Sequence, residues 1–291
     1  MKQLSLITAL FAVCAACGNQ KQDQQSDETS AAESKPVTLT KKWETEAVLT
    51  TCESVLYDED KDVLYVSNIN GAPDGKDGNG FISKVSLDGQ VVELKWVRGI
   101  DAPKGMGLHN GKLYVTDIDR VHEINTADGN ITRTFPVEGA TFLNDITVDN
   151  GKIYISDSRG GAIYLIEDGE LSTFMQDLKG PNGLFADNGK LVVALWDEKS
   201  LNTLDPSSKE ITKHTEGIEN PDGIEAIGNN AYIVSSWNGI IHHIDSDWNR
   251  TVLLDTRQDS IYSADIEYVK GKNLLLVPTF FKNSVVAYEV K

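Results

Sequence analysis

Short apolar runs separated by polar turns built on Gly or Asn follow one another along this chain, with no stretch of helical periodicity. Gly183-Leu184-Phe185-Ala186, Asp187-Asn188-Gly189-Lys190 and Leu191-Val192-Val193-Ala194 read as strand, hairpin and strand, because Asn and Gly accept the positive φ of a tight hairpin. The same turn recurs at Asp149-Asn150-Gly151-Lys152 and His109-Asn110-Gly111-Lys112. Third strands follow, as at Ala162-Ile163-Tyr164-Leu165-Ile166 and Ile240-Ile241-His242-His243-Ile244, β-branched and aromatic as strands buried between sheets are. Each unit opens on a related motif: Glu53-Ser54-Val55, Lys104-Gly105-Met106, Asn144-Asp145-Ile146, Asn182-Gly183-Leu184, Asp222-Gly223-Ile224 and Ala264-Asp265-Ile266. The steps between them are 51, 40, 38, 40 and 42 residues. A period of this length, made of strands alone, predicts an all-β fold, a six-bladed β-propeller.

The last blade runs out of chain after Ser284 to Lys291 and needs an outer strand, which Lys42 to Leu49 can supply from the other end. Closing the ring this way satisfies two sheet edges at once. The long first step holds a polar loop, Asn70 to Gly80. Its Asp spacing is faintly EF-hand-like, but no bidentate Glu follows and its flanks are strands, so a lid over the axis is the better reading.

The ends add a location. Residues 1–16 carry Lys2, an apolar run from Leu4 to Val13 and small residues before Cys17, a secretion signal too short to span a bilayer. The pattern resembles a bacterial lipoprotein signal, with Cys17 as the lipid-bearing residue, although Cys14 stands where such signals carry an aliphatic side chain. Residues 17–40 then form the lipidated cysteine and a polar tether, and residues 41–291 the propeller, anchored in the cell envelope. Removing residues 1–16 leaves 26 basic against 44 acidic residues, a formal charge of −18. Such a surface excludes nucleic acid as a partner and leaves the lipid as the only hold on a membrane. A monomer with a small-molecule ligand is expected. Once Cys17 is modified, Cys52 has no partner for a disulfide, and no His accompanies it in the repeat, so it reads as a small buried thiol.

In a propeller the first strand of every blade lines the axis, so the leading residues of the six motifs converge there: Glu53, Lys104, Asn144, Asn182, Asp222 and Ala264. Two carboxylates and two amide carbonyls are hard oxygen donors of summed charge −2, and they suit Ca²⁺ better than Zn²⁺. Lys104 reads either as a substrate contact or as the partner of Asp145 or Glu53. The ends of the second strands should form the pocket wall: Asn68 and Asn70, Asp117 and Asp119, Asp157 and Arg159, Trp196 and Asp197, Ser236 and Trp237, Thr279 and Phe280. Arg159 reads as an anion contact or as a partner of Asp157, and Trp196 and Trp237 as walls for a partly apolar ligand or as packing between blades.

Glu in the first blade, Asn-Asp in the third, Pro181-Asn182-Gly183-Leu184 and Pro221-Asp222-Gly223-Ile224 together resemble the calcium site of the SMP-30/gluconolactonase-like propellers, which diisopropyl fluorophosphatase shares. The resemblance covers the whole mature domain in blade order. It implies that Glu53, Asn144, Asn182 and Asp222 bind Ca²⁺ and that Asp222 is the catalytic carboxylate, as base or as nucleophile, of a lactone or ester hydrolase. Lactonases of this family carry Arg two positions before the third-blade Asn. Phe142 stands there in this chain, which argues against a sugar lactone, and Lys104 is a second departure. The other function class is a tethered propeller that binds a small ligand or protein partner without turnover.

Overall fold

In the computed structural model, which describes residues 36–291, Asn110, Asn150 and Asn188 hold φ of 49°, 48° and 50° in the three hairpins named above. Strand β1 spans Leu39–Glu44. The first blade is β2 (Cys52–Asp58), β3 (Val63–Asn68), β4 (Gly80–Val85) and β5 (Val91–Ile100). The second is β6 (Pro103–His109), β7 (Lys112–Asp117), β8 (Arg120–Asn125) and β9 (Ile131–Pro136). The third is β10 (Leu143–Asp149), β11 (Lys152–Asp157), β12 (Ala162–Glu167) and β13 (Glu170–Met175). The fourth is β14 (Pro181–Asp187), β15 (Lys190–Leu195), β16 (Ser200–Leu204) and β17 (Ile211–Glu216). The fifth is β18 (Pro221–Gly228), β19 (Ala231–Ser236), β20 (Ile240–Ile244) and β21 (Arg250–Asp255). The sixth joins β22 (Glu267–Val269), β23 (Leu274–Pro278) and β24 (Val285–Val290) to β1, in the order β1-β24-β23-β22.

The chain is thus a six-bladed β-propeller whose last blade is completed by the strand that comes first in sequence. That strand lies earlier than the sequence pattern placed it, pairing Leu39 with Val290 and Glu44 with Val286. Residues 45–51 instead form the turns that lead into β2. The ring is closed at the axis as well, where the Asp265 amide donates to the Glu53 carbonyl at 3.0 Å and Ser54 Oγ donates to Asp265 Oδ2 at 2.6 Å.

Apolar side chains fill the gaps between neighbouring sheets rather than one central core. Leu64, Val66, Val285 and Ala287 join the first and sixth blades, and Val192, Ala194, Val234 and Ile244 the fourth and fifth. This leaves the axis itself to polar residues. Cys17, expected to carry the lipid, and the expected signal segment lie outside the described residues. Among the described residues no helix is long and apolar enough to cross a membrane.

Candidate functional site at the axis

Each of the first five inner strands carries a bulge at its leading dipeptide. Cys52 pairs with Asn68 and Val55 with Val66, so Glu53-Ser54 bulges, and the same shift occurs at Lys104-Gly105, Asn144-Asp145, Asn182-Gly183 and Asp222-Gly223. A bulge breaks the two-residue alternation and re-aims side chains. Its freed amide is held from the second strand: Ser67, Ser156 and Ser235 Oγ accept from the amides of Ser54, Asp145 and Gly223, each at 2.9 Å. Where neighbouring bulges touch, glycine is required by space. A Cβ on Gly183 would sit 1.8 Å from the Asp222 carbonyl oxygen, and one on Gly223 2.5 Å from the Ile266 nitrogen.

The bulges bring Glu53, Asn144, Asn182 and Asp222 to one mouth of the tunnel, around a cavity of about 480 Å³ that Lys104, Phe142, Arg159, Trp196, Trp237 and Phe280 also line. Asn182 Nδ2 donates to Asp222 Oδ1 and to the Pro221 carbonyl, both at 3.1 Å. Asn144 Nδ2 donates to Ser158 Oγ at 3.2 Å. Glu53 is 5% exposed, and its Oε2 has no hydrogen-bond partner. Burial first, and then the charges of Asp222 and Asp265, push the Glu53 carboxyl well above the usual carboxylate range. Asp222 is raised likewise, by burial and then by Asp265.

The donor set fits a hard divalent cation: all oxygen, two carboxylates, and one buried carboxylate oxygen with nothing to satisfy it. Among the described residues no three of His, Cys, Asp and Glu gather in a metal-binding arrangement, so any ion here depends on the two carboxamides.

Two readings of paired charges are corrected. Lys104 forms no ion pair with Asp145 or Glu53; its ammonium donates to the Ala102 carbonyl at 3.0 Å and lies 4.5 Å from the centre of the Phe142 ring. Burial lowers its pKa to about 8, against the opposing pull of Glu53 and Asp117. Arg159 does not pair with Asp157 but with Asp74 of the 70–80 loop, at 2.9 Å.

The pocket wall is corrected too. Trp196, Asp197, Trp237, Phe280 and Arg159 line the cavity, but Asn68, Asp117, Asp157, Ser236 and Thr279 turn into the blades. Asp157 accepts from the amides of Thr141, Phe142 and Gly160 at 3.0, 2.9 and 2.9 Å, and Asp117 from Asp101 and Ala102 at 3.0 and 2.7 Å. Both carboxylates thereby hold the loop that enters an inner strand. Trp237 combines its two readings, lining the cavity while packing 4.5 Å from Tyr262 and 5.4 Å from Phe280, ring centre to ring centre.

The sequence pattern missed a second tier. Asp145 and Asp265, the trailing residues of their dipeptides, also face the axis, and with Glu225 and Glu267 they line a cavity of about 290 Å³ further along the tunnel. Asp145 accepts from the amides of Ile146 and Leu184, both at 2.6 Å, which ties the third blade to the fourth. Burial lifts Asp265 to about 7 and, with the charge of Asp265, lifts Glu267 to about 8.

No protein-family model matches the chain, and no curated protein does. Solved structures do. A streptogramin B lyase aligns with a TM-score of 0.64 at 14% identity, over 88% of this chain and 98% of its own. A chain of a nidogen/laminin complex aligns at 0.58 with 20% identity, over 70% and 82%. The extracellular domain of a one-component system from B. thetaiotaomicron aligns at 0.54 with 14% identity, over 82% of this chain and 33% of that one. At these identities the likeness is one of fold, a β-propeller, and it does not single out the SMP-30/gluconolactonase group.

Proposed function

We propose that the axial cavity binds Ca²⁺ through Glu53, Asn144, Asn182 and Asp222, and that the chain is a lactone or ester hydrolase of the SMP-30/gluconolactonase kind, held in the cell envelope by a lipid on Cys17. The observation that carries the cation is Glu53 Oε2, a buried carboxylate oxygen without a partner, set among three further oxygen donors. An unpaired buried anion is costly, and so are several carboxylates crowded around one axis. A divalent ion relieves both. When bound, it supplies the positive charge that polarises a substrate carbonyl.

The chain's own residues do the rest. Asn182 fixes one oxygen of Asp222 and leaves the other for water or for the carbonyl carbon, as base or as nucleophile. Trp196, Trp237 and Phe280 wall the cavity and hold the apolar part of a substrate. A second reading, ligand capture without turnover, is favoured by Lys104, a buried ammonium facing the same cavity with donors to spare.

One variant separates the two. Asp222→Asn keeps an oxygen donor of the same shape but can neither take a proton from water nor attack a carbonyl. In a screen of lactones, aryl esters and phosphotriesters at saturating Ca²⁺, the full chain should hydrolyse a member, and Asp222→Asn should lose at least about a hundredfold in turnover. Hydrolysis that survives the substitution removes Asp222 as the catalytic carboxylate; ligand binding with no hydrolysis by either protein favours capture.

A further inference from the structure

Lys104 is 1% exposed, and its three N–H donors find one acceptor, the Ala102 carbonyl. Among the described residues it forms no ion pair. A buried charge with no carboxylate in contact is costly: Glu53 and Asp117 act on it only from a distance, and the ring of Phe142, 4.5 Å away, compensates only in part. The same ring carries a second cation, the Arg159 guanidinium, 4.2 Å from its centre. Among the described residues these are the only two bases lining the cavity. Two like charges gathered on one apolar ring call for an anion beside them.

A carboxylate already stands at that place. Asp74 Oδ2 lies 2.9 Å from Arg159 Nη1, and the two side chains are 50% and 54% exposed. Ion pairs this exposed contribute little, so another anion can displace it. Asp74 comes from the 70–80 loop, whose neighbouring Pro73 lines the cavity. The loop is held separately by Lys76 on Asp119 and by the Gly78 amide, which donates to Asp101 Oδ1 at 2.8 Å. It therefore keeps its anchors when Asp74 is released. Across the cavity Trp196 and Trp237 stand with ring centres 6.5 Å apart and planes inclined at 54°, an apolar wall for a flat group.

We propose that the cavity takes a small anion with an aromatic body, its charged group held by Lys104 and Arg159 over Phe142 and its ring against Trp196 and Trp237, and that Asp74 occupies Arg159 as an internal competitor. This rests on the reading of the cavity as the ligand site, and it holds with or without turnover. It names the substrate class as acidic, whereas a cavity ringed by carboxylates would by itself favour neutral or cationic molecules.

The test uses the full chain with phenylacetate, phenyl phosphate and the neutral phenylacetamide as probes, titrated by calorimetry and by tryptophan fluorescence. Both anions should bind at least about tenfold more tightly than the amide. Lys104→Met and Arg159→Gln should each weaken both anions by at least about tenfold and the amide by much less, so that the preference is lost. Asp74→Asn should tighten anion binding about two- to fivefold, as expected when an exposed competitor is lost. Equal affinity for acid and amide, no binding of either anion, or an Asp74→Asn protein that binds anions no better would overturn the proposal. Calcium content measured on the same samples reports on the metal separately. Anion selectivity without calcium upholds this inference against the hydrolase reading, and calcium without selectivity does the reverse.

Discussion

Gly183 shows how little freedom the axial residues have, since the 1.8 Å from its Cβ position to the Asp222 carbonyl oxygen is backbone contact that no rotamer can relieve. Gly183→Ala must push β14 and β18 apart at the point where Asn182 meets Asp222. It should cost about 3 kcal/mol or more, at the top of the range for overpacking, and a urea titration measures it. A loss below about 1 kcal/mol would show that the strands separate freely here. The leading residue of each dipeptide was legible in the sequence because it repeats in register, and Glu53, Lys104, Asn144, Asn182 and Asp222 do line one cavity. The trailing residue was not. Strand alternation sends Asp145 away from the axis, and only the bulge turns it back, while Asp265 sits just before β22 and is held at the axis by its bridge to Ser54. A sign of the bulge was present in the serines of Val66-Ser67-Asn68, Ile155-Ser156-Asp157 and Val234-Ser235-Ser236, polar groups where a buried strand should be apolar. Asp117 and Asp157 misled for the opposite reason, since a carboxylate at a strand end serves loop amides as readily as a ligand.

Among the elements, the sequence pattern places the closing strand in the right blade but too late in the chain, at 42–49 against the observed β1, Leu39–Glu44, so that only 42–44 coincide. β1 is an outer strand exposed along much of its length, with a bulge between Lys41 and Trp43, so few buried positions index its register. Its contribution is nonetheless the closure of the ring. Deleting residues 39–44 bares the edge of β24 and removes a ladder of backbone hydrogen bonds, each contributing on the order of 1 kcal/mol. For a chain of this size the melting temperature should fall by about 10 °C or more, and the protein should associate through the bared edge. Calorimetry with size-exclusion chromatography checks both effects. An unchanged melting point in a monomeric truncation would mean that the inner contacts of Ser54 with Asp265 close the ring unaided.

Over the whole molecule, the tunnel gathers carboxylates in two tiers, and their raised pKa values predict a pH dependence of stability when no cation is bound. Glu53, Asp145, Asp222 and Glu225 are raised chiefly by burial, Asp265 reaches about 7 and Glu267 about 8. Groups raised on folding bind protons more tightly in the native state, so their stabilisation is full below the unfolded pKa near 4 and is lost as pH rises through the folded values. His242, lowered to about 4 mainly by burial, acts oppositely but only below its unfolded pKa near 6.5. Lys104, lowered to about 8, recovers stability mainly at higher pH still. In chelator, stability should therefore fall by about 2 to 3 kcal/mol between pH 6.5 and 8.5, and Ca²⁺ should reduce that slope, as paired urea titrations will show. A chelated protein with equal stability at both pH values would mean that these carboxylates are already ionised in the fold. The bulged dipeptides also give the molecule a division of labour: the sheets and their apolar seams set the spacing, while each of the first five blades presents two adjacent residues in a mount of fixed geometry. Such mounts are interchangeable parts. Writing Asn-Gly in place of Lys104-Gly105 would re-key one tumbler of the lock while the housing stays as it is.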